Sequence, residues 1–426
     1  MRTQQRVVLT GMGVVTSIGH NVASFAVALR HGFCGISWLR RLPTDKISVK
    51  IGAEIQDFDW RQSLEAVPGA DPGLITRSRK ILNRAPESTR LSASAAAQAL
   101  AHSGLLASPP AAERIGLIVA GSNLHQRYIH ENGARFRAEP EYINPSYALS
   151  FLDTSQVGCL SEMFALHGMG YTVGGASASG NVALYHAWQW IRTGVLDACV
   201  VVGASADFSE IELQAFSILG AASGEPYTTP PGQACRPFDR DRTGFVLGEG
   251  SGCVVLENLD SARRRGAGLL GELRGASLVL DGNSRPNPDL EGEIRAMRTA
   301  LREAGVEAAD IGYVNAHGTA SVLGDQVECE ALASVFGDHL ARLPVNSTKS
   351  LTGHCMFAAG IIEFIACALQ MNDGFIHPNL NLMNPLDTRF HFAGATARPL
   401  EAKLALSNGF GFGGFNSSLV LGKVEP

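Results

Sequence analysis

Short runs of β-branched residues alternate along this chain with longer segments of helical periodicity. The short runs are rich in Val and Ile, are bounded by Gly or Asn, and predict buried strands. They occupy residues 7–9, 14–16, 115–120, 199–202, 252–256 and 313–315. The clearest helical patterns are residues 89–103 and 292–304, the latter closing at Gly305 as a C-cap. Helices between buried strands require covered sheets, so the pattern predicts an α/β fold.

The chain is longer than one average domain, but it shows no internal boundary. Its 426 residues are even in composition from end to end, and no stretch reads as a linker. Apolar residues make up 45% and charged residues 18%, which excludes a disordered or coiled-coil chain. One large globular unit or two closely packed halves is therefore expected.

Charge and cysteine usage exclude several classes of protein. A net charge of -5 and a pI near 6.2 argue against DNA, RNA or an anionic membrane as a general partner. The 8 cysteines form no CxxC pair or close cluster, so neither a zinc site nor an extracellular disulfide framework is predicted. Glycines interrupt the N-terminal segment before a secretory signal or membrane span can form. A cytoplasmic protein is expected.

Two other features are easily mistaken for binding motifs. The Gly-rich segments at residues 6–16 and 405–422 lack both a GxGxxG element leading into a helix and a Gly-Lys-Ser/Thr element, so no nucleotide site is expected. Basic residues cluster at residues 77–90 and 263–265. Solvated helix faces explain both clusters more simply than a docking site does.

Residues 171–195 are the most informative stretch for chemistry. A short strand at 171–173 runs into six small residues at 174–179 and then into a helix. The apolar face of that helix comprises Ala183, Ala187, Trp190 and Ile191. Such a turn places Ser177 where free backbone N–H groups and the positive end of the helix dipole converge. This is the geometry of a nucleophile elbow, although it lacks the GxSxG spacing of the α/β-hydrolases. A tight packing turn is the alternative interpretation.

Two of the 12 histidines stand out by their context. His317 follows the strand predicted at 313–315, beside glycine and two hydroxyl side chains. His354 lies in a turn before a helix of small residues. Both positions leave room for a ligand, whereas a single histidine in another context is more often a core or surface residue.

Four motifs, in order along the chain, carry a family resemblance. They are GGASASGN at 174–181, NAHGTASVLGDQVE at 315–328, NSTKSLTGHCMFAAG at 346–360 and SNGFGFGGFNSSLVL at 407–421. With matching segments at 6–19 and 235–257, they resemble the β-ketoacyl-acyl carrier protein synthases of the thiolase-like superfamily over essentially the whole chain. The resemblance implies an αβαβα sandwich of two similar halves with mixed five-stranded sheets. It places the elbow in residues 1–257 and both histidines in residues 258–426, and it implies a homodimer.

The resemblance also implies a role for each motif residue. The nucleophile position is Ser177, the paired catalytic histidines are His317 and His354, and the structural lysine is Lys349. The residues implied to bind substrate or its phosphopantetheine arm are Thr319, Ser321, Phe410 and Phe412. The backbone N–H groups of residues 177 and 412 are implied to form an oxyanion hole. The supporting acidic residues are Asp325, Glu328 and Glu363. No metal or cofactor of its own is implied, because the acyl carrier protein brings the phosphopantetheine arm.

Ser177 is the departure from the family pattern that decides the predicted function. Condensing members carry Cys there, and a helix N-terminus lowers the pKa of a thiol enough to give a nucleophilic thiolate. A hydroxyl needs an adjacent general base instead. Acyl loading should therefore be slow or absent, which leaves the decarboxylation of a malonyl thioester. That reaction leaves an enolate whose negative charge lies on the thioester oxygen. Each histidine that donates a hydrogen bond to this oxygen stabilises the transition state by about 2.7–4 kcal/mol.

The sequence therefore predicts conversion of malonyl-carrier protein to acetyl-carrier protein. The Ser-for-Cys pattern resembles the decarboxylases of polyketide β-branching cassettes, which supply a hydroxymethylglutaryl synthase-like enzyme. Phe357 replaces a small residue of the family, so it either narrows an acyl channel or repacks the core. The alternatives are a condensing synthase with a native or engineered Ser177, and a chain-length-factor-like partner subunit, although such subunits commonly lose the histidines. A serine hydrolase lacks the required elbow spacing.

Overall fold

The computed structural model describes residues 4–223 and 230–425. The strands in this part of the chain are β1 (Val7–Thr16), β2 (Ser37–Trp38), β3 (Ile51–Gly52), β4 (Ile115–Ala120), β5 (Gly170–Val173), β6 (Ala198–Gly203), β7 (Gly250–Asn258), β8 (Gly271–Ala276), β9 (Val279–Leu280), β10 (Tyr313–Asn315), β11 (Pro344–Asn346), β12 (Phe375–Ile376), β13 (His391–Phe392), β14 (Arg398–Pro399), β15 (Leu404–Gly411) and β16 (Phe415–Gly422). The α-helices are α1 (Val22–His31), α2 (Trp60–Glu65), α3 (Pro72–Leu82), α4 (Glu87–Ser103), α5 (Gln126–Ala138), α6 (Tyr147–Ser150), α7 (Thr154–Phe164), α8 (Ser179–Arg192), α9 (Glu210–Ile218), α10 (Leu259–Arg264), α11 (Leu290–Ala304), α12 (Val322–Phe336), α13 (Lys349–Thr352) and α14 (Ala359–Asp373).

The first strand differs from its prediction. The sequence pattern gives two short runs, but β1 is one continuous strand that includes the glycines between them. A Cβ atom at Gly11 would lie 2.2 Å from the carbonyl oxygen of Ala99, and one at Gly13 would lie 2.0 Å from that of Ala95. These glycines therefore do not end the strand. They let α4 pack directly on its backbone.

Ten strands of the main sheet form two five-stranded units of identical topology, while β13 pairs with the edge strand β11 and β9 pairs with β16. In the first, the order is β5-β4-β6-β7-β1, with β4 parallel to β5 and β6, and β7 antiparallel to both of its neighbours. In the second, the order is β11-β10-β15-β16-β8, with the same directions. Two residue pairs between β1 and β8 join them into one continuous sheet. The predicted fold class, two similar α/β halves, is confirmed.

Helices α8 and α14 are equivalent in the two halves and cross at glycine. A Cβ atom at Gly180 would lie 2.8 Å from the backbone nitrogen of Ile361, and one at Gly360 would lie 2.0 Å from Asn181 Oδ1. Only residues without a side chain allow so close an approach. On α8, Trp190 is only half-buried, while the rest of its predicted apolar face is fully buried. The crossing fixes the N-terminal ends of both helices beside one another.

Within residues 4–223 and 230–425, one helical segment is long and apolar enough to span a membrane. It is Met356–Asp373, of 18 residues, and 89% of it is buried inside the protein. That burial is typical of the core helix that α14 forms.

Candidate functional site

Ser177 lies at a sharp turn between β5 and α8. Residues Ala176–Ala178 form a 3-10 turn that leads directly into the helix, and the Ser179 hydroxyl donates to the Ala176 carbonyl at 2.6 Å. Ala176 has φ of 47°, a left-handed conformation that costs about 1–3 kcal/mol for a residue with a side chain. A Cβ atom at Gly411 would meet the Gly175 carbonyl oxygen at 2.4 Å, so β15 packs tightly on this turn. The predicted elbow geometry is present.

The second half repeats the same turn before α14. Met356 has φ of 49°, and residues Met356–Ala358 form a 3-10 turn that leads into the helix. His354 lies two residues before this turn. The two turns therefore bring Ser177 from the first half and His354 from the second half into contact.

His354 presents a hydrogen-bond donor to Ser177. Its Nε2 atom lies 2.8 Å from Ser177 Oγ, and its Nδ1 atom lies 3.2 Å from the backbone nitrogen of Met356. A backbone N–H can only donate, so Nδ1 accepts and the proton of the neutral imidazole lies on Nε2. Burial, together with the charge of Lys349, lowers the pKa of His354 well below its usual value, which keeps the ring neutral. His354 is therefore not placed to take a proton from Ser177.

His317 lies at the end of β10 and is held by its backbone. Its N–H and that of Gly318 donate to the two oxygens of Glu328 at 2.8 and 2.7 Å. Burial, then the charges of Lys349 and His354, lowers the pKa of His317 well below its usual value. The rings of His317 and His354 meet edge to face, with their centroids 5.7 Å apart. Two neutral imidazoles thus share one side of the site.

Lys349 connects the backbone of His317 to a buried carboxylate. Its ammonium group donates to the His317 carbonyl at 2.6 Å and to Glu363 Oε1 at 2.5 Å. Burial raises the pKa of Glu363 to about 7, and Lys349 opposes that shift. The Glu328 carboxylate, which accepts from the backbone at His317, also accepts a hydrogen bond from the Asn408 amide at 3.0 Å. These contacts fix the histidine backbone from behind.

Asp325 supports the loop that follows His317. Its carboxylate accepts from the backbone nitrogens of Phe238 at 2.7 Å and Ala320 at 3.1 Å. Burial raises its pKa to about 7, against the lowering effect of these hydrogen bonds. On the same loop, the Thr319 hydroxyl donates to Ser321 Oγ at 2.9 Å. This hydroxyl pair faces the cavity.

A cavity of about 290 Å³ brings these groups together. The predicted residues that line it are Ser177, His317, Thr319, Ser321, His354, Phe410 and Phe412. The predicted residues that lie behind its wall are Asp325, Glu328, Lys349 and Glu363. Cavity-lining residues that the sequence analysis missed include Phe245, Asp281, Glu293, Met356 and Asn416. The cavity is thus built from both halves of the chain.

A sequence signal was available for one of the missed residues. Glu293 precedes Met297, Ala300 and Leu301 by four, seven and eight residues, which places a carboxyl group on the apolar stripe of α11. The others come from positions whose pattern does not distinguish them from ordinary core or turn residues.

Phe357 packs away from the cavity. It is buried, its ring lies edge to face with Phe208 at 6.1 Å, and its Cβ would lie 3.2 Å from a Cβ placed at Gly121. Among the residues the structure describes, those lining the Ser177 cavity do not include Phe357. The contacts therefore favour the core-packing interpretation of this residue.

Family models match both halves of the chain. The β-ketoacyl synthase N-terminal domain matches residues 4–262, and the β-ketoacyl synthase C-terminal domain matches residues 270–383. Among curated proteins, the chain is 39% identical to the polyketide biosynthesis malonyl-ACP decarboxylase PksF of Bacillus subtilis (strain 168), over 98% of this chain and 97% of that protein. It is 32% identical to 3-oxoacyl-[acyl-carrier-protein] synthase 2 of Coxiella burnetii, over 99% of each.

Solved structures share the whole fold. The ishigamide ketosynthase/chain length factor superposes with a TM-score of 0.86 at 29% identity, over 99% of this chain and 100% of that one. AntDE:AntF, a type II PKS acyl-carrier protein in complex with its ketosynthase bound to the hexaketide, gives a TM-score of 0.85 at 25% identity, again over 99% and 100%.

Proposed function

Because the chain belongs to the β-ketoacyl synthase family but carries Ser177 at the nucleophile position, we propose that it decarboxylates malonyl-acyl carrier protein to acetyl-acyl carrier protein. The observation that carries the proposal is the direction of the hydrogen bond between His354 and Ser177. The Met356 N–H donates to Nδ1 of the His354 ring, so Nε2–H donates to the Ser177 hydroxyl. Ser177 therefore has no general base in His354. The site retains donors for a developing oxyanion and lacks an activated nucleophile.

Decarboxylation needs stabilisation of negative charge and no nucleophile. When the bond to the carboxylate breaks, its electron pair moves into an enolate whose charge lies on the thioester oxygen. The neutral imidazoles of His317 and His354 supply N–H donors on the cavity wall for that oxygen. The Thr319–Ser321 hydroxyl pair would hold the phosphopantetheine arm at the same wall. These roles rest on the family resemblance and on the shared cavity.

The substrate would arrive on an acyl carrier protein. The AntDE:AntF relative is a ketosynthase in complex with its carrier, which supports a protein of this kind as partner. Of the two basic clusters, Arg265 is held by the buried Glu257, whose Oε1 atom lies 2.9 Å from its Nε. Arg263, Arg264 and the exposed residues of the other cluster stay candidates for docking an acidic carrier.

The biological setting and assembly follow from the same proposal. The relative PksF belongs to polyketide biosynthesis, and acetyl-carrier protein would supply a hydroxymethylglutaryl synthase-like enzyme in β-branching. We further propose a homodimer and a division of the chain between residues 257 and 258. Exposed apolar side chains between residues 136 and 152 support the dimer, since such side chains cluster at interfaces.

A test with malonyl-carrier protein alone distinguishes this proposal from an inactive partner subunit. The protein is incubated with the malonyl carrier, and the intact mass of the carrier is followed. Loss of carbon dioxide to give the acetyl carrier is expected, whereas an unchanged malonyl species would overturn the proposal. The second candidate, a condensing synthase, is favoured by the similarity to 3-oxoacyl-[acyl-carrier-protein] synthase 2 and predicts an acyl-enzyme when an acyl carrier is offered.

A further inference from the structure

Glu293 is a buried carboxyl group that the reaction described above leaves unused. It lies in the first turn of α11, is 1% exposed, and lines the same cavity as Ser177, His317 and His354. Its Oε2 atom is buried without a hydrogen-bond partner among the described residues. Leaving a buried polar group unpaired costs about 1–3 kcal/mol, which a ligand in the cavity would offset by bonding to this oxygen.

The packing of α11 directs this face of the helix toward the catalytic loop. Met297, one turn after Glu293, contacts the Asn408 amide at 3.6 Å, and that amide also donates to Glu328 beneath His317. Next to Glu293, a Cβ atom at Gly292 would lie 1.8 Å from Asp281 Oδ1 and 2.7 Å from the Asn416 amide nitrogen, both on residues of the cavity wall. Close packing on both sides therefore holds this part of α11, and with it the Glu293 position, at the cavity wall.

The surroundings of Glu293 keep its proton on the carboxyl group. Burial raises its pKa well above the usual value, and the nearby carboxylates of Glu328, Asp281, Asp289 and Asp325 push in the same direction. The titratable groups facing it are these carboxyls, from α12 and from the loop before α11, and the two imidazoles across the cavity. Glu293 is therefore a protonated carboxylic acid at neutral pH, the form that can donate a proton.

We infer that Glu293 is the acid that protonates the acetyl enolate after carbon dioxide leaves, an inference that rests on the proposed decarboxylation. The bond between the methylene carbon and the carboxylate breaks, and its electron pair forms the enolate. The methylene carbon then takes the proton of Glu293, which gives the acetyl thioester and the Glu293 carboxylate. Water at the cavity mouth returns a proton to that carboxylate. Overall, malonyl thioester and one proton give acetyl thioester and carbon dioxide.

This role also separates a decarboxylase from a condensing enzyme. A condensing site must keep its carbanion away from acids until the carbanion attacks an acyl group. A resident carboxylic acid in the same cavity would quench that carbanion. Glu293 therefore suits a site in which Ser177 holds no acyl group.

The test identifies the proton donor by isotope discrimination. Wild type, Glu293→Gln and the control Glu291→Gln convert malonyl-carrier protein in an equal mixture of light and heavy water. The ratio of hydrogen to deuterium in the acetyl methyl group is then measured by mass spectrometry. Glu291 is exposed on the same helix, so its variant makes the same substitution of a carboxyl by an amide group away from the cavity. The ratio does not depend on which step limits the rate.

The expected result is a shifted ratio in Glu293→Gln, because water then delivers the proton, and an unchanged ratio in the control. The rate of acetyl formation should also fall, by about 100-fold where proton transfer limits it. An unshifted ratio in Glu293→Gln overturns the inference, even if the rate falls, since a structural role alone moves only the rate. Wild type that releases no carbon dioxide would instead overturn the proposed function.

A second measurement needs no variant and applies if Glu293→Gln does not fold. The wild-type ratio is followed as the pH rises through the ionisation of Glu293. It should move toward the value that water gives. A ratio that stays constant while the protein remains folded and active contradicts the inference.

Discussion

The hydrogen bond between Ser177 and His354 runs from the imidazole to the hydroxyl. The Ser177 Oγ to His354 Nε2 distance is 2.8 Å, and the Met356 N–H fixes the lone pair of the ring on Nδ1. A serine nucleophile needs the reverse arrangement, in which the ring accepts the hydroxyl proton. The pair is therefore arranged to stabilise an oxygen that carries negative charge.

Replacing Ser177 by cysteine should restore acyl loading. A thiol at the N-terminal end of α8 loses its proton more readily than a hydroxyl, so Ser177→Cys should form an acyl-enzyme with an acyl-carrier protein. Ser177→Ala is the matched control, since it lacks both groups. Intact mass of the protein reports the adduct. An acyl adduct on the wild-type serine would show that the loading argument is wrong.

Loss of either cavity imidazole should slow decarboxylation. His317→Ala or His354→Ala removes one donor to the enolate oxygen, and an effect of about ten- to thousand-fold on the rate is expected. His186→Ala provides a control, because His186 lies on α8 outside the cavity and packs against Tyr171 of β5. Carbon dioxide release from malonyl-carrier protein measures the effect. Equal rates in the cavity variants and the control would contradict the assigned roles.

The pH dependence of decarboxylation should have its acid limb below 6.5. Burial lowers the pKa of His317 and His354 below that usual value, so both rings stay neutral until the solution is more acidic. Protonation of His354 would then place a proton on Nδ1 against the Met356 N–H. Initial rates between about pH 5 and 8 test this expectation. A limb centred at or above 6.5 would show that the histidines titrate as exposed ones do.

The helix crossing at Gly360 should be intolerant of a methyl group. A Cβ atom there would meet Asn181 Oδ1 at 2.0 Å, so Gly360→Ala should lower the free energy of unfolding by about 1–3 kcal/mol. Gly158 lies exposed in α7, with nothing within 4 Å of its Cβ position. Gly158→Ala should instead raise stability by up to about 1 kcal/mol. Urea denaturation measures the free energy of unfolding of both variants. An unchanged free energy of unfolding in Gly360→Ala would contradict the close helix crossing.

Much of the fold follows from local patterns. The strand predicted at residues 115–120 coincides with β4, and the run of small residues at 174–179 forms the turn at Ser177. Such features depend on neighbouring residues alone, which is why a single sequence reveals them. β1 shows the limit of local patterns. There Gly11 looks like the end of a strand in the sequence, but it continues the strand because the backbone of α4 must approach it closely.

The support of the site depends on contacts distant in sequence. Glu328 is held by Asn408, which β15 brings beneath His317, and no local pattern links residues 80 positions apart. The family motifs nevertheless include both residues, so the resemblance identified the acidic positions without their contacts. Glu293 lies outside those motifs. Only the folded chain shows that it reaches the cavity.

The most direct test offers the wild-type protein an acyl-carrier protein and malonyl-carrier protein together, and follows both carriers and the protein by intact mass. The account predicts acetyl-carrier protein, an unchanged acyl carrier and no adduct on Ser177. Formation of a β-ketoacyl carrier would contradict it, because condensation requires the acyl-enzyme that this site is arranged not to form.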